Sequence, residues 1–304
     1  MAQKPPVHRI ATRQQVRTRQ ALLSILPIIV VLLAIRAYPI ITAVAKSFTN
    51  WDGLFKSQYV GFTNYSRLLG GSVFWTLIRN NFILLINVPV QVFLGLIVAV
   101  LLHERVLGWR FFRSLYYIPQ IISAVIIGYL FRTLFSMDGP INIVLGRMGM
   151  MPVPLEWMGS AGTALGVIIF TLVWSSLGWV AIVFMGGLST VPDSVFEAAR
   201  IDGAGFWRRT FQIAVPMLVR VLEYAIMLSI VWTFTGLFPF IFSMTRGGPG
   251  YETTTLDYMI YIKSFVSGVN LGEACALAVL LLIIVLGLTT LQLRLTNRVD
   301  DWSD

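Results

Sequence analysis

Residues 164–188 read ALGVIIFTLVWSSLGWVAIVFMGGL and contain no Asp, Glu, Lys or Arg. A helix needs about 20 mostly apolar residues to cross the roughly 30 Å hydrocarbon core of a bilayer, so this run, inside the uncharged stretch 157–192, predicts one transmembrane helix. Five more stretches have the same character, and only one of them is interrupted, by Arg36. They are residues 21–45, 80–102, 114–131, 224–245 and 274–293. The sequence therefore predicts an all-α polytopic membrane protein with six transmembrane helices.

The composition supports the same class of protein. Of 304 residues, 57% are hydrophobic and 12% are charged, whereas a soluble domain carries about 25% charged residues. This excludes a water-soluble enzyme. The single Cys275 lies in an apolar run, and the two histidines, His8 and His103, are far apart in the chain. We therefore expect no metal site, no catalytic residues and no enzymatic activity in this chain.

Basic residues predict the orientation, because loops on the cytoplasmic side carry an excess of Lys and Arg. The six-helix arrangement places 14 of the 23 basic residues on one side and six on the other. Both termini are therefore expected in the cytoplasm, with the first helix retained as an uncleaved anchor. The predicted parts are a basic cytoplasmic tail (1–20), a six-helix domain (21–295) and a cytoplasmic C-terminal end (296–304). The net charge of +9 is explained by these basic residues, which face membrane lipid at the surface of the bilayer, and it does not require a nucleic-acid partner.

The cytoplasmic segment 190–216 carries the most specific pattern in the chain. Ser194 and Glu197 have the spacing of a capping box that starts a helix, and Gly203 can end that helix in the left-handed conformation. Pro216 closes the segment and suits the first turn of the next span. These residues predict a short helix outside the membrane. It is either an interfacial amphipathic loop or a helix that docks into a groove of a soluble partner.

This segment resembles the EAA loop of ABC importer permeases. That pattern is Glu-Ala-Ala, three residues, Gly, nine residues, Ile, any residue, Leu and Pro. The residues in register are Glu197, Ala198, Ala199, Gly203, Ile213 and Pro216. Val215 stands where Leu is usual, which is a conservative departure.

A second resemblance narrows the family to carbohydrate-uptake permeases. Residues 245–253 read TRGGPGYET and are followed by Thr255-Leu256 and by the sequence YMIY at 258–261, which looks like the outer-loop signature of that family. The family often has Gly where Arg246 stands. Tyr117-Ile118-Pro119 and Asp202-Gly203-Ala204 are also similar to the family.

The resemblance implies the type I ABC importer permease fold and a set of partners. It implies a second, related permease subunit, two cytoplasmic ATPase subunits that use ATP and Mg, and an external solute-binding protein, in a bacterial or archaeal plasma membrane. Residues 247–250, GGPG, lack the Lys of a phosphate-binding loop, so hydrolysis must come from another polypeptide and this chain is expected to bind no cofactor.

The same resemblance makes the cytoplasmic segment a coupling helix that sits in a cleft of the ATPase. Glu197 would make a polar contact there, Ala198 and Ala199 would permit close approach, and Gly203 would set the turn. The implied coupling residues also include Asp202, Ala204, Ile213 and Pro216.

Polar and aromatic residues within the spans are candidates for a substrate path. Sugars need hydrogen-bond partners for their hydroxyls and aromatic rings for their C–H faces. The candidates are Asn87, Gln91, Gln120, Ser123, Trp174, Ser175, Trp179, Trp232, Thr233 and Thr235. For each of them the alternative is a hydrogen bond between helices.

Three alternative functions are weighed against import of a sugar or oligosaccharide. Glycerol phosphate or a phosphodiester would use the same machinery but needs cations in the path, which are sparse here. An ion-coupled secondary carrier would need acidic or His relays in midspan or inverted repeats, and an intramembrane enzyme would need a nucleophile and a base or a set of metal ligands. The sequence supplies neither of these last two patterns.

Overall fold

The computed structural model describes residues 24–54, 57–151, 153–266 and 270–300, with side chains up to residue 295. The predicted tail 1–20 lies outside the described residues, and of the predicted end 296–304 only the backbone up to residue 300 is described. Within these residues the secondary structure is helical, apart from one isolated β-bridge between Thr49 and Tyr59.

The helices follow one another along the chain, and several are short segments between longer ones. In order they are α1 (Ser24–Lys46), α2 (Thr63–Gly70), α3 (Ser72–Leu84), α4 (Asn87–His103), α5 (Trp109–Ile121), α6 (Ala124–Leu134), α7 (Pro140–Arg147), α8 (Ala161–Leu188), α9 (Asp193–Ile201), α10 (Phe206–Met217), α11 (Val219–Thr235), α12 (Phe238–Met244), α13 (Leu256–Tyr261) and α14 (Leu271–Asp300).

Among the described residues, four helices are long and apolar enough to cross a bilayer: α1, α3 with α4 as one run (Ser72–His103), α8, and α14 up to Leu295. Two further pairs pass the same test but are bent. The angle is 102° between α5 and α6, and 81° between α10 and α11. If each bent pair is one span, the count is six, the predicted number, but the second pair covers residues 206–235 and so includes part of the segment 190–216 that the sequence predicts outside the membrane.

The structure corrects the shape of two predicted spans. The stretch 114–131 is not one helix, because Ile122 and Ser123 have extended backbone (ψ 136° and 135°) and separate α5 from α6. The stretch 224–245 is likewise divided between α11 and α12, with Gly236 and Leu237 between them. A stretch without charged residues predicts an apolar segment, but it does not predict where the helix within that segment is interrupted. Such breaks occur at membrane depth where the irregular backbone lines a cavity.

The half of the core nearest α9 is built on the long parallel contact between α4 and α8. Gly95 permits this approach, because a Cβ atom there would lie 2.5 Å from Cγ1 of Val180. Ala99, Phe184 and Leu188 pack in the same cluster with no exposed surface. Close packing of this kind makes the two helices a rigid pair.

Candidate functional site

A cavity of about 500 Å³ lies where α4, α8, α11 and α12 meet the break between α5 and α6. Its wall combines amides, hydroxyls and aromatic rings. The lining residues are Gln91, Pro119, Gln120, Ile122, Ala124, Ile127, Ser175, Ser176, Trp179, Leu228, Ser229, Val231, Trp232, Thr235 and Phe240. None of these described residues is charged. The size and the mixed lining are typical of a small-molecule site.

Six of the ten residues proposed for the substrate path line this cavity, although they come from four different helices. They are Gln91, Gln120, Ser175, Trp179, Trp232 and Thr235. Gln120 also donates a hydrogen bond to the carbonyl of Ser175, which ties the end of α5 to α8.

The other four proposed residues lie outside the cavity wall. Asn87 donates to the hydroxyl of Thr233 at 3.1 Å, and both residues have no exposed surface, so this pair joins α4 to α11. Trp174 packs against Phe131 with ring centroids 5.2 Å apart. Ser123 is exposed at the start of α6.

The structure adds lining residues that the sequence analysis missed, among them Ser176, Ser229 and Phe240. The spacing of Ser229 three residues before Trp232 could have indicated it, because such residues share one face of a helix. Ser229 and Gln91 are 3% and 2% exposed. Among the described residues, neither the Ser229 hydroxyl nor Oε1 of Gln91 has a hydrogen-bond partner. Buried polar atoms are normally paired, so these two suit a ligand that supplies hydroxyl groups.

The break between α5 and α6 adds backbone groups to the cavity. Ile122 and Ala124, on either side of the break, both line it. The first N–H groups of a helix have no partner within the helix, and the Ser123 side chain does not cap α6. Discontinuous helices of this type form binding sites in transporters.

The segment 190–216 forms the predicted short helix, α9, with one difference at its start. The helix begins at Asp193, and no side-chain hydrogen bond caps it, so the predicted capping box of Ser194 and Glu197 is wrong. The helix starts two residues too early for Ser194 to stand at the N-cap position, which Pro192 occupies. Gly203 ends the turn after α9 with φ +73°, as predicted.

The coupling residues divide into an outer and an inner set. Glu197, Ala198, Asp202, Gly203 and Pro216 are exposed, and Ile213 is half-buried. Ala199 and Ala204 are each 7% exposed.

Ala199 packs against its own chain. Its position therefore does not support the expectation that this small side chain lets a partner come close. The structure also reveals Ile201, which is 86% exposed at the end of α9. It lies one turn beyond Glu197 on the same face.

Pro216 is placed differently from the prediction. It lies in the last turn of α10 (Phe206–Met217), and the chain bends by 81° before α11 begins at Val219. The proline therefore does not stand in the first turn of the next span.

An ion cluster joins this segment to the C-terminal end of α4. Arg209 on α10 makes two hydrogen bonds to Glu104, and Arg200 on α9 lies 3.7 Å from the same carboxylate. The sequence analysis missed this cluster, because the partners lie about 100 residues apart in the chain.

The outer loop at residues 245–255 is fixed by two asparagines of α3. Asn80 donates to the carbonyls of Thr254 and Tyr251 at 2.9 and 3.0 Å, and Asn81 accepts from the Leu256 N–H at 3.0 Å. Arg246 has φ +53°, a left-handed conformation that suits the Gly common at this position in the family it resembles.

Asp257 at the start of α13 anchors the same outer region. Its carboxylate accepts the N–H groups of Phe238 at 2.7 Å and Tyr258 at 2.9 Å. Burial raises the pKa of this carboxyl, while the hydrogen bonds from Thr255 and the backbone lower it. The carboxyl thus connects α12 to α13 and lies outside the cavity wall.

Comparison with known proteins agrees with these features. The family model described as the binding-protein-dependent transport system inner membrane component matches residues 91–300. The chain is 33% identical over 248 residues to the sn-glycerol-3-phosphate transport system permease protein UgpA of Escherichia coli, covering 79% of this chain and 81% of that protein. It is 29% identical over 265 residues to the multiple sugar-binding transport system permease protein MsmF of Streptococcus mutans, covering 86% and 90%.

A solved structure has the same fold. It is a bacterial ABC transporter involved in the import of the acidic polysaccharide alginate, whose matched chain gives a TM-score of 0.80 at 20% identity and covers 94% of this chain and 98% of that one. The family match spans well over half of the sequence and includes the cavity helices and the cytoplasmic segment. The chain therefore belongs to the family of binding-protein-dependent transport system inner membrane components.

Proposed function

We propose that this chain is the permease subunit of an ATP-driven importer and that it carries a neutral sugar or oligosaccharide through the cavity between α4, α8, α11 and the break after α5. An external binding protein delivers the solute, and the companions are a second permease, forming a heterodimer, and two ATPase subunits that use ATP and Mg. The setting is a bacterial or archaeal plasma membrane with both termini in the cytoplasm.

The observation that carries the substrate class is the uncharged lining of the cavity, with buried acceptors that lack partners. Oε1 of Gln91 and the hydroxyl of Ser229 match the hydroxyl donors of a sugar. Trp179, Trp232 and Phe240 supply rings for its C–H faces.

An anionic substrate such as glycerol phosphate or a phosphodiester is the second candidate. The N-terminal end of α6 borders the cavity, and helix N-termini attract anions; the UgpA relative is named for a phosphate ester. Against this, no Lys or Arg stands among the residues that line the cavity, and an ionised group removed from water needs a charged or fully hydrogen-bonded partner. The neutral class is therefore favoured.

An ion-coupled carrier has less support. Such a carrier needs ionisable groups on the path, and the residues that line the cavity include no Asp, Glu or His. Asp257 lies outside the cavity wall, and its carboxylate already accepts three hydrogen bonds.

The exposed face of α9 is proposed as the contact with the ATPase. Glu197, Ala198 and Ile201 lie on this face, and all three are exposed. The small Ala198 beside the large, exposed Ile201 suits insertion of α9 into a groove.

The test of this function uses an Ala198→Cys variant in a Cys275→Ser background, purified with its companion subunits. A bifunctional thiol reagent should crosslink position 198 to the ATPase subunit. Neutral oligosaccharides, presented with the binding protein, should stimulate ATP hydrolysis in proteoliposomes, whereas glycerol phosphate should not. Failure to crosslink would contradict the role of α9, and stimulation by glycerol phosphate alone would favour the anionic candidate.

A further inference from the structure

A doubly hydrogen-bonded ion pair joins α10 to the residue directly after α4, about 100 residues away in the sequence. Nε and Nη2 of Arg209 donate to the two carboxylate oxygens of Glu104 at 2.8 and 2.9 Å. The two side chains are 13% and 10% exposed. A bidentate pair of this kind fixes orientation as well as distance, because the guanidinium and carboxylate groups are both planar.

Arg209 also holds the turn that follows α9, because its Nη1 donates to the carbonyl of Ala204. One side chain of α10 thus binds both the turn after α9 and Glu104, directly after α4. The His103 ring packs against Phe196 of α9 with centroids 5.2 Å apart, which adds an apolar contact beside the ion pair.

Helix α4 continues from this cluster to the cavity. Gln91, which lines the cavity, lies on the same helix about 20 Å from Glu104 at the rise of an α-helix. The chain between them packs against α8 through Gly95. A displacement of the cytoplasmic end of α4 would therefore reach the cavity wall as a movement of a rigid helix.

We propose that the Glu104–Arg209 pair is the link that passes movement of α9 to α4 and so to the Gln91 side of the cavity. Both are positioning residues that touch no substrate. This inference rests on the proposed contact of α9 with an ATPase.

The test measures movement of the cavity wall without a transported solute. The reporter is Gln91→Cys in a Cys275→Ser background, in the transporter assembled with its companion subunits. Labelling by a small methanethiosulfonate reagent is timed without nucleotide and after trapping with ATP and vanadate. With the link intact, the two labelling rates should differ at least about fivefold, the low end of usual coupling between sites.

The double variant Glu104→Gln with Arg209→Gln should bring the ratio of the two labelling rates close to one. Changing both partners leaves neither of the two charges of the pair unpaired. The matched control is Arg208→Gln on the same helix, since Arg208 donates to the exposed Gln212 at 3.0 Å and not to Glu104; its ratio should equal that of the parent. A parent-like ratio in the double variant, or equal rates in the parent, would overturn the link.

Two further measurements keep the result interpretable. If the double variant does not assemble, Arg209→Lys takes its place, because Lys keeps the charge but loses the bidentate geometry; it should give an intermediate ratio, and a parent-like ratio would contradict the link. The crosslink from Ala198→Cys separates the two proposals. If the double variant keeps the crosslink and has a parent-like ratio of labelling rates, only the proposed link is contradicted. If the parent itself gives no crosslink, the proposed contact of α9 with the ATPase is contradicted.

Discussion

The two ends of α4 differ in charge: one carries neutral polar groups and the other borders an ion cluster. At the cavity end, Gln91 is buried, and its Oε1 has no hydrogen-bond partner among the described residues. At the cytoplasmic end, Glu104 accepts two short, well-aligned bonds from Arg209 and lies close to Arg200. A neutral acceptor without a partner can accept a hydrogen bond from a ligand. An ion pair with two hydrogen bonds instead fixes the helices that it joins. One helix can therefore serve binding at one end and mechanical connection at the other.

The cytoplasmic end should give the largest effect. Gly203→Asp should abolish uptake, because Gly203 has φ +73° and a non-Gly residue there distorts the turn next to the coupling surface. Glu197→Lys should do the same by reversing the charge of an exposed contact. Uptake in cells and the amount of protein in the membrane fraction are the measurements.

The matched control for this change is Gly205→Asp, at a glycine with φ −66° that precedes α10. Its φ suits any residue, so uptake should persist. Normal uptake by both the Gly203 and the Glu197 variants would refute the role of this segment.

The rigidity of the helix between the two ends can be tested at Gly95. Gly95→Ala should destabilise the protein by about 1–3 kcal/mol, because overpacking a close helix contact displaces its neighbours, here Val180. Thermal unfolding of the detergent-solubilised protein measures the effect. Gly186→Ala on α8, where a Cβ meets open space, should instead leave stability equal or higher by up to about 1 kcal/mol.

The cavity end can be tested by Gln91→Leu. Loss of one hydrogen bond to a neutral ligand should lower uptake by about fivefold, equivalent to about 1 kcal/mol. The melting temperature should stay equal or rise, because a buried acceptor without a partner is removed. A fall in stability with unchanged uptake would show that Gln91 serves packing and not substrate.

The smallest effect is expected outside both ends, at Arg246. Its φ of +53° costs a non-Gly residue about 1–2 kcal/mol, and replacement by Gly relieves this strain. Part of the relief is offset by the greater chain entropy of Gly in the unfolded state. Arg246→Gly should therefore raise stability by a few tenths of a kcal/mol and leave uptake unchanged. A clear loss of uptake would instead assign the Arg246 side chain a contact in the outer loop.

Much of the outline could be predicted from residue order. Helix length and apolar run length are local properties, so the apolar character of the spans, the short helix α9 and the left-handed turn at Gly203 follow from sequence. The failed predictions are those that depend on dihedral angles or on which way a helix faces. The capping box at Ser194 fails because α9 starts at Asp193, and Ala199 faces inward although its sequence position resembles that of the exposed Ala198.

The sequence by itself determined that this chain is an all-α membrane protein and that residues 190–216 carry the most specific motif, because composition and fixed spacing are visible in one dimension. Only the tertiary structure decided which polar residues share a cavity, where α5 and α6 separate, and that Glu104 and Arg209 meet. The physical reason is that hydrogen bonds and ion pairs between distant segments depend on how the helices pack, and the packing of each helix depends on all its neighbours.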